Sequence, residues 1–444
     1  MKVAARDVTH TGLWLALYVL LALYPLLWLA AVPAAGGGTL RGGLAAALGF
    51  LALSTMAMQF VLTARFQWLA PPFGTDLVYA FHRYVTIVSL AFAVLHPVVL
   101  FGSNLAAVAS WLLPGRAPAA IGAGVLSLYA LLAVAVTSFF RLRLRIPYDA
   151  WRRLHGVAAA AAVLLGLWHA LAIGRFLSSP IVRGLWIVWT AAWVGMLLRV
   201  RVAKPLALVR RPWIVREVRR ERGDIASLVV DLDGHDGLRF RPGQFAWLTW
   251  AGSPFAMAEH PFSFSGSAQL TPRIEFAIKA AGDHTRRLVA TARPGDRIYV
   301  DGPFGTMSID QFPELDGYVF VAGGAGIAPC LSMLRTLADR GDRRPHLLVY
   351  GTADWERTPF REELEELPAR LNVRVVHVLE QPPPVWPGEQ GYVTEAILER
   401  HRPREGRYAY FVCGPPAMMD SVERALARLN VPLGDVHSER FDLV

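Results

Sequence analysis

The sequence predicts a multidomain membrane protein: a six-helix transmembrane bundle, then an antiparallel β-barrel domain, then a Rossmann-like α/β domain. Three observations support this fold class. The 444 residues are 54% hydrophobic and only 18% charged, whereas soluble domains average about a quarter charged. The apolar residues are concentrated in long segments within the first 200 positions. The remainder shows short β-like runs and then an alternation of strands with helices. The predicted domains are therefore 1–204, 205–312 and 313–444.

Six apolar segments fill the first domain, each long enough or nearly long enough to cross a bilayer. They lie near residues 11–32, 42–64, 77–101, 118–140, 152–174 and 181–198. The last is the shortest, but Arg183 and Arg199 at its ends can reach the membrane surfaces. The first segment has an alternative interpretation as a cleaved signal peptide, although its apolar run is long for one. The orientation of the other five is the same in either case.

Basic residues in the loops predict how the bundle is oriented. One side carries the larger set: Lys2, Arg6, Arg65, Arg141, Arg143, Arg145, Arg152, Arg153, Arg199, Arg201 and Lys204. The other side carries Arg41, Arg116, Arg175 and Arg183. Since positive loops face the cytoplasm, we expect a multi-pass protein of the inner (plasma) membrane, surrounded by lipid, with both termini cytoplasmic. The net charge of +10 arises mainly from these flanks, so nucleic-acid binding is not expected.

The second and third domains are predicted from short apolar runs separated by turn residues. Three runs indicate a small antiparallel barrel: Ile225–Leu232, Phe245–Trp250 and Arg273–Ala280. Four later runs alternate with helical stretches: Tyr318–Val321, Leu347–Tyr350, Val373–Val378 and Tyr408–Val412. That alternation predicts a doubly wound parallel sheet. The only cysteines, Cys330 and Cys413, cannot supply the four thiolates of an iron–sulfur cluster.

Four of the twelve histidines lie inside apolar spans: His82 and His96 in the third, His155 and His169 in the fifth. Ionisable groups in a bilayer are costly and usually functional. The two histidines of each pair are fourteen positions apart, which is close to four helical turns and a rise of about 21 Å. Each pair therefore shares one helix face, with one member near each leaflet.

Both histidine-bearing spans are expected to run outward, so His82 should face His155 near the cytoplasm and His96 should face His169 near the exterior. Two imidazoles that face each other across a helix pair are natural axial ligands of a haem. Two alternatives remain open. The histidines can be polar core residues bonded to carbonyls, or they can line a proton or ion pathway.

Two motifs in the second domain have the chemistry to hold a flavin. In the first, Arg241-Pro-Gly-Gln-Phe245 precedes the strand-like His260-Pro261-Phe262-Ser263, whose hydroxyl and backbone groups can bond a flavin. An ordinary barrel strand explains this motif equally well. In the second, Lys279-Ala-Ala-Gly282-Asp-His-Thr285 opens a short helix, and helix N-termini bind phosphate. The alternative for Gly282 is a simple N-cap.

The third domain contains a glycine-rich turn and a second turn at the end of a later strand. In the first, an apolar strand runs into Gly323-Gly324-Ala-Gly326-Ile-Ala-Pro329. Gly324 and Gly326 fit the first two glycines of the dinucleotide fingerprint, while Pro329 replaces the third. The second turn, Cys413-Gly414-Pro415, also follows an apolar strand, where ligands of doubly wound sheets bind. The alternatives are a plain tight turn and a buried small residue.

The order of these motifs resembles a known family. The part of the chain after the spans is similar to the ferredoxin–NADP reductase superfamily, and the whole chain resembles prokaryotic NADPH oxidases and ferric reductases. The resemblance implies FAD held by Arg241, His260, Ser263 and the Gly282–Thr285 helix start. It also implies nicotinamide near Cys413 and two b-type haems on the paired histidines. Catalytic roles are implied for Cys413, Glu439 and Phe441, the last as the aromatic ring that stacks on the flavin. Phe441 departs from the family because three more residues follow it.

The resemblance implies an NAD(P)H-dependent oxidoreductase that passes electrons through FAD and two haems to an extracytoplasmic acceptor. We expect dioxygen as the acceptor, giving superoxide. Asn104, Arg175 and Arg183 lie on the predicted outer loops, and a cation there would stabilise the developing superoxide anion. A ferric chelate, a quinone and a periplasmic partner are the alternatives. Arg357 and Arg361 can bind the 2′-phosphate of NADPH or simply begin a solvated helix.

Overall fold

The computed structural model describes residues 2–31, 39–65, 75–102, 104–113, 116–174, 177, 179–270 and 272–440. These residues form two compact units, one made of the helices up to Pro205 and one beginning at Leu206. The loop segment Phe255–Ala258 groups with the first unit.

Helices make up the first unit. Their bounds are α1 Lys2–Ala31, α2 Leu40–Thr63, α3 Thr75–Phe101, α4 Leu105–Leu112, α5 Ala119–Phe139, α6 Tyr148–Ile173, α7 Pro180–Leu198 and α8 Lys204–Val209. A π-helical turn, Arg199–Ala203, continues α7 into α8. Five stretches are long and apolar enough to span a membrane: Leu40–Thr63, Leu77–Phe101, Ala119–Phe139, Tyr148–Ile173 and Pro180–Val209.

A sixth span stays a prediction, because the described apolar part of α1, Gly12–Leu27, is shorter than a span. The short helix α4 was not expected, since its eight residues are too few to cross a bilayer. It lies between α3 and α5 in the chain, and its Trp111 ring meets Phe101 edge-on, with the ring centres 4.8 Å apart. The most buried of the five spans is α2, which packs against α1, α6 and α7.

The second unit begins with a six-stranded antiparallel sheet in the order β4-β3-β6-β1-β2-β5. Its elements are β1 Trp213–Arg220, β2 Ile225–Leu232, β3 Phe245–Trp250, β4 His260–Ser263, β5 Ile274–Lys279, α9 Asp283–Thr291 and β6 Arg297–Phe304. One isolated bridge, Phe264 to Phe276, links the two edges. The sheet is therefore antiparallel as predicted, while its closure into a barrel stays a prediction.

A six-stranded parallel sheet follows, in the order β10-β9-β8-β7-β11-β12. Its elements are β7 Gly317–Gly323, α10 Ile327–Asp339, β8 His346–Thr352, α11 Arg361–Glu366, β9 Val373–Leu379, β10 Glu389–Gln390, α12 Glu395–His401, β11 Tyr408–Cys413, α13 Pro416–Arg428 and β12 Val436–Ser438. Strands are added on one side of β7 and then on the other. The reversal creates a switch point between β7 and β11, where doubly wound sheets bind ligands.

Candidate functional site

Two pairs of imidazole rings lie between α3 and α6. The ring centres of His82 and His155 (the inner pair) are 6.2 Å apart, as are those of His96 and His169 (the outer pair). A metal ion held by two imidazoles would separate their centres by about 6 Å, given bonds of about 2 Å and about 1 Å from each nitrogen to its ring centre. Each pair therefore has space for one metal ion, and the role of the rings as ligands stays a prediction.

Backbone carbonyls hold the outer pair. His96 Nδ1 lies 2.7 Å from the carbonyl oxygen of Ala45, and His169 Nδ1 lies 2.7 Å from that of Ala120. A carbonyl oxygen can only accept a hydrogen bond, so each Nδ1 carries the hydrogen. The lone pair of each ring is then on Nε2, the nitrogen left for a metal.

Glycines make room for the same two rings. A Cβ atom at Gly49 would lie 3.0 Å from His96 Nδ1, and one at Gly124 would lie 2.9 Å from His169 Nδ1. Each glycine stands four residues after the alanine whose carbonyl holds that ring. The helix pairs α2/α3 and α5/α6 thus hold the outer histidines in the same way.

A side-chain amide holds the first ring of the inner pair. Gln59 Oε1 lies 2.7 Å from His82 Nδ1. The amide nitrogen of Gln59 donates to the Thr55 carbonyl at 3.0 Å, which fixes the amide with its oxygen toward the ring. His82 therefore donates from Nδ1, and its Nε2 has the lone pair.

A hydroxyl holds the second inner ring. Ser138 Oγ lies 3.2 Å from His155 Nδ1 and donates its own hydrogen to the Val134 carbonyl at 2.6 Å. Trp151 Nε1 also donates to this oxygen, at 3.3 Å. Ser138 consequently accepts from His155. All four membrane histidines are thus held as the tautomer that can bind a metal through Nε2.

A cavity of about 490 Å³ surrounds the outer pair. Side chains such as Ala45, Phe50, Trp111 and Leu128 form its wall, and none of the described lining residues is charged. The volume falls within the range of ordinary ligand and cofactor sites, about 300–1,000 Å³. An apolar cofactor ligated by both outer histidines suits this space.

Two turns meet at the switch point of the parallel sheet. A Cβ atom at Gly326 would lie 2.2 Å from the carbonyl oxygen of Cys413, and one at Gly323 would lie 2.9 Å from Pro415 Cδ. A Cβ atom at Gly414 would lie 3.1 Å from the amide nitrogen of Gly323. Glycine at these positions lets the two backbones touch, which brings the predicted nucleotide residues together.

A cation faces the glycine turn from the antiparallel sheet. Lys279 ends β5, and its Nζ lies 3.9 Å from the place of a Cβ atom on Gly324. The Gly324 carbonyl is held by the Tyr350 hydroxyl at 3.1 Å. An ammonium group beside a glycine-rich turn is suited to a phosphate. Pro329, in contrast, is buried in the first turn of α10.

A buried carboxylate and a buried thiol lie near these turns. Glu439 is 2% exposed, and its Oε2 lies 2.7 Å from the place of a Cβ atom on Gly305, whose φ is +96°. Burial raises the pKa of the Cys413 thiol well above its ordinary value, and the charges at Cys330 and Glu439 act in the same direction. The thiol is therefore protonated at neutral pH, which suits packing against a ring better than nucleophilic attack. Phe441 lies outside the described residues.

The predicted flavin residues lie along an edge of the antiparallel sheet. Strand β4, which contains His260-Pro261-Phe262-Ser263, pairs with β3 and stands at one end of the strand order. Ser263 is buried, and His260 stacks on His284 with the ring centres 3.8 Å apart. Arg241 is exposed, and its amide donates to the side chain of Gln244 at 2.8 Å.

The start of α9 has the predicted cap. Thr285 Oγ1 accepts hydrogen bonds from the amides of Ala281 and Gly282, at 3.0 and 2.9 Å. The exposed Asp283 pairs with Arg286 at 2.7 Å in the same turn. This geometry is that of an N-cap. A role of Gly282 and Thr285 in binding phosphate stays a prediction.

The two arginines considered for a 2′-phosphate are already engaged. Arg357 pairs with Asp224 at 3.0 Å. The Arg361 guanidinium lies 4.9 Å from the centre of the Trp355 ring and also contacts Glu362. Arg183, which is predicted to lie on the outer face, donates to the Leu177 carbonyl at 3.2 Å, while Arg175 lies outside the described residues.

Sequence reasoning missed the residues that support the histidines. Gln59 and Ser138 carried a usable signal, since each is a polar residue inside an apolar span. Gly49 and Gly124 carried no such signal, because glycine is common in apolar spans. Their importance depends on the ring packed against them from the neighbouring helix.

Two family models match separate parts of this chain. The ferric reductase like transmembrane component matches residues 48–166, and the oxidoreductase NAD-binding domain matches residues 320–424. This chain joins a ferric-reductase-like transmembrane component to an oxidoreductase NAD-binding domain. The predicted fusion and the predicted oxidoreductase class are thereby confirmed, as is a multi-pass membrane protein.

Curated relatives of this ferric-reductase-like oxidoreductase cover about half of it. The reductase component of a propane 2-monooxygenase from Rhodococcus jostii is 31% identical over 49% of this chain and 60% of its own length. The sulfhydrogenase 1 subunit gamma of Pyrococcus furiosus is 32% identical over 42% of this chain and 63% of its own length. The chain thus spans about three fifths of the length of these relatives.

Solved structures also resemble about half of the chain. A cytochrome P450 reductase from Amycolatopsis matches 52% of this chain and 69% of its own chain, with 25% identity and a TM-score of 0.46. The ferredoxin reductase of a carbazole 1,9a-dioxygenase has the same coverage and TM-score, with 23% identity.

Proposed function

We propose that this chain carries electrons across the membrane, from cytosolic NAD(P)H through FAD and two b-type haems to an extracytoplasmic acceptor. The observation that carries the proposal is the arrangement of two histidine pairs with equal ring separations and with Nε2 available on all four rings. The same chain contains an oxidoreductase NAD-binding domain. A two-site path through the membrane joined to a nicotinamide domain suits transmembrane electron transfer.

The histidine pairs would hold the haems. His82 and His155 would ligate the inner one, and His96 and His169 the outer one. Haem iron supplies reversible one-electron chemistry, tuned by its axial ligands and their hydrogen bonds. The apolar cavity of about 490 Å³ around the outer pair supports this assignment.

The NAD-binding domain and the antiparallel sheet would bind the electron donor and FAD. The touching turns at Gly326 and Cys413 would receive the nicotinamide dinucleotide, with Lys279 beside its phosphates. The predicted flavin residues of β4 would receive the flavin. FAD, when bound, converts a two-electron donor into one-electron steps. Cys413 and the buried Glu439 would position the nicotinamide ring between these two sites.

Dioxygen is the acceptor that we favour. With the apolar cavity filled by the outer cofactor, an acceptor would take its electron outside the cavity wall, where a cation such as Arg183 would stabilise superoxide as it forms. Superoxide would then form on the extracytoplasmic side. A ferric chelate is the second candidate, since it is anionic and the outer-face Arg183 would attract it.

The haem assignment is tested by single substitutions of the four histidines. We expect His82→Ala or His155→Ala to remove one haem, and His96→Ala or His169→Ala to remove the other, because each iron would lose an axial ligand. A pyridine haemochrome assay on purified full-length protein measures the haem content, with His235→Ala, which lies outside the spans, as control.

Two outcomes would contradict the proposal. If all four variants kept two haems per chain, the histidines would not be the ligands. A wild-type protein without haem bands would favour the histidine-lined proton or ion pathway instead.

A further inference from the structure

Gln59 is an amide buried within a membrane span. It lies on α2, is 9% exposed, and uses its nitrogen to bond the Thr55 carbonyl, with the Tyr18 hydroxyl at 3.5 Å. Its oxygen is left for His82 Nδ1, at 2.7 Å. A buried amide is costly unless its hydrogen bonds are satisfied, and polar residues in spans usually serve a function. The one partner that the Gln59 oxygen faces is a predicted ligand of the inner site.

The inner pair differs from the outer pair in what holds it. His96 and His169 bond backbone carbonyls, which no substitution removes. His82 depends on the Gln59 side chain, and its ring is therefore oriented by a group that the sequence can change. The acceptor on Nδ1 fixes the ring and its tautomer, and it raises the basicity of Nε2.

We propose that Gln59 is a positioning residue for the inner metal site. It fixes the plane of the His82 ring and makes that imidazole a stronger electron donor. Stronger donation stabilises the ferric state of an iron bound at Nε2 and lowers its reduction potential. The inference rests on the proposed function, since it requires a haem at the inner pair.

The test compares two substitutions that differ in one hydrogen bond. Gln59→Met keeps the length of the side chain and removes the amide oxygen, whereas Gln59→Glu retains an oxygen acceptor. Ser54→Ala is the control, because Ser54 is buried on the same helix and bonds the Leu21 carbonyl, not a histidine. Reduction potentials are measured by redox titration of full-length protein in detergent, together with the low-spin ferric EPR signals of both haems.

For Gln59→Met we expect the potential of the inner haem, the one lost in His82→Ala, to rise. Its EPR signal should change, and its affinity should fall by about tenfold. Gln59→Glu should keep the wild-type potential or lower it, and the outer haem is an internal check that the variant is folded. The inference is overturned if Gln59→Met leaves both potentials and signals unchanged, or if Ser54→Ala shifts them equally. Wild-type protein that contains only the outer haem, or no haem, would overturn the proposed function itself, on which the role of Gln59 rests.

Discussion

At the scale of single residues, the four membrane histidines show what a neighbouring helix adds to a sequence motif. The fourteen-residue spacing predicts which histidines share a face, because that follows from helical geometry alone. The proton position does not follow, since it depends on the oxygens that Gln59 and Ser138 present from other helices. The sequence thus predicts the candidate ligands, and only the packing determines their tautomer.

Gly326 allows a prediction at the same scale. Adding a single methyl group would place Cβ 2.2 Å from the Cys413 carbonyl oxygen, so the two turns must separate. Overpacking of this kind costs about 1–3 kcal/mol, which we expect to weaken NAD(P)H binding by roughly tenfold or more. The measurement is the KM for NAD(P)H in dye reduction by purified Gly326→Ala protein, with flavin content determined in parallel.

Gly434→Ala is the matched control, because Gly434 is exposed and a Cβ atom there meets nothing within 4 Å. Flavin content should stay at the wild-type level in both variants, since the flavin residues lie on the other sheet. Loss of flavin with an unchanged KM in Gly326→Ala would contradict the assignment of this turn to the nucleotide.

At the scale of elements, the apolar runs predict strands well and the mixed runs do not. The structure has β2 and β3 with the predicted bounds, and both sequences are mostly apolar. The runs predicted to form β7, β8, β9 and β11 also lie within parallel strands. In contrast, β1 carries three arginines and β6 contains Asp301, Gly302 and Pro303. Neither sequence has the regular alternation that marks a half-buried strand.

An ion network links elements of the two sheets. Arg335 on α10 bonds Glu275 on β5 at 2.8 Å and Glu363 on α11 at 2.6 Å. Burial raises the pKa of the Glu275 carboxyl, but the attraction of Arg335 and Arg219 outweighs burial and leaves the pKa below its usual value. A carboxyl with a lowered folded pKa contributes stability above its unfolded pKa. That contribution is lost as the pH falls through the folded pKa.

Removing the shared arginine should therefore destabilise this unit. For Arg335→Met we expect a loss of about 1.5–3 kcal/mol in the free energy of unfolding at neutral pH. The reason is that Glu275 and Glu363 lose a charged hydrogen-bond partner, although Glu275 keeps Arg219 at 2.8 Å. The difference from wild type should shrink as the pH falls and Glu275 becomes protonated. Urea unfolding followed by tryptophan fluorescence at neutral and acidic pH measures both effects.

The exposed pair Arg370–Asp339 provides the control for this experiment, since Asp339 lies on the same helix, α10. Arg370→Met should cost less than about 1 kcal/mol, the usual contribution of a surface ion pair. Equal losses for the two variants would show that burial of Arg335 is not the reason for its effect.

At the scale of the whole molecule, the chain combines a part made of apolar spans with a part of mixed polar and apolar sequence. The described residues up to Pro205 are mainly helical, and a helix satisfies its backbone groups internally, as a membrane requires. The described residues after Pro205 form two sheets with helices between strands. Composition predicts this division, because the change from apolar spans to mixed sequence is abrupt near residue 205. Composition does not predict the proposed acceptor, because its identity would depend on a few loop residues, for which periodicity carries no information.

The predicted outer face leads to a prediction about that acceptor. Proteoliposomes supplied with NAD(P)H on the cytoplasmic face should reduce cytochrome c on the opposite side, and superoxide dismutase should abolish the signal. The reason is that a cation on the outer face, such as Arg183, would stabilise superoxide as it forms. Arg183→Gln should therefore slow superoxide production, and it should also slow reduction of ferric citrate, an anion that the arginine would attract. Rapid turnover with ferric citrate and negligible turnover with oxygen would reverse the assignment, and the chain would then be a ferric-chelate reductase.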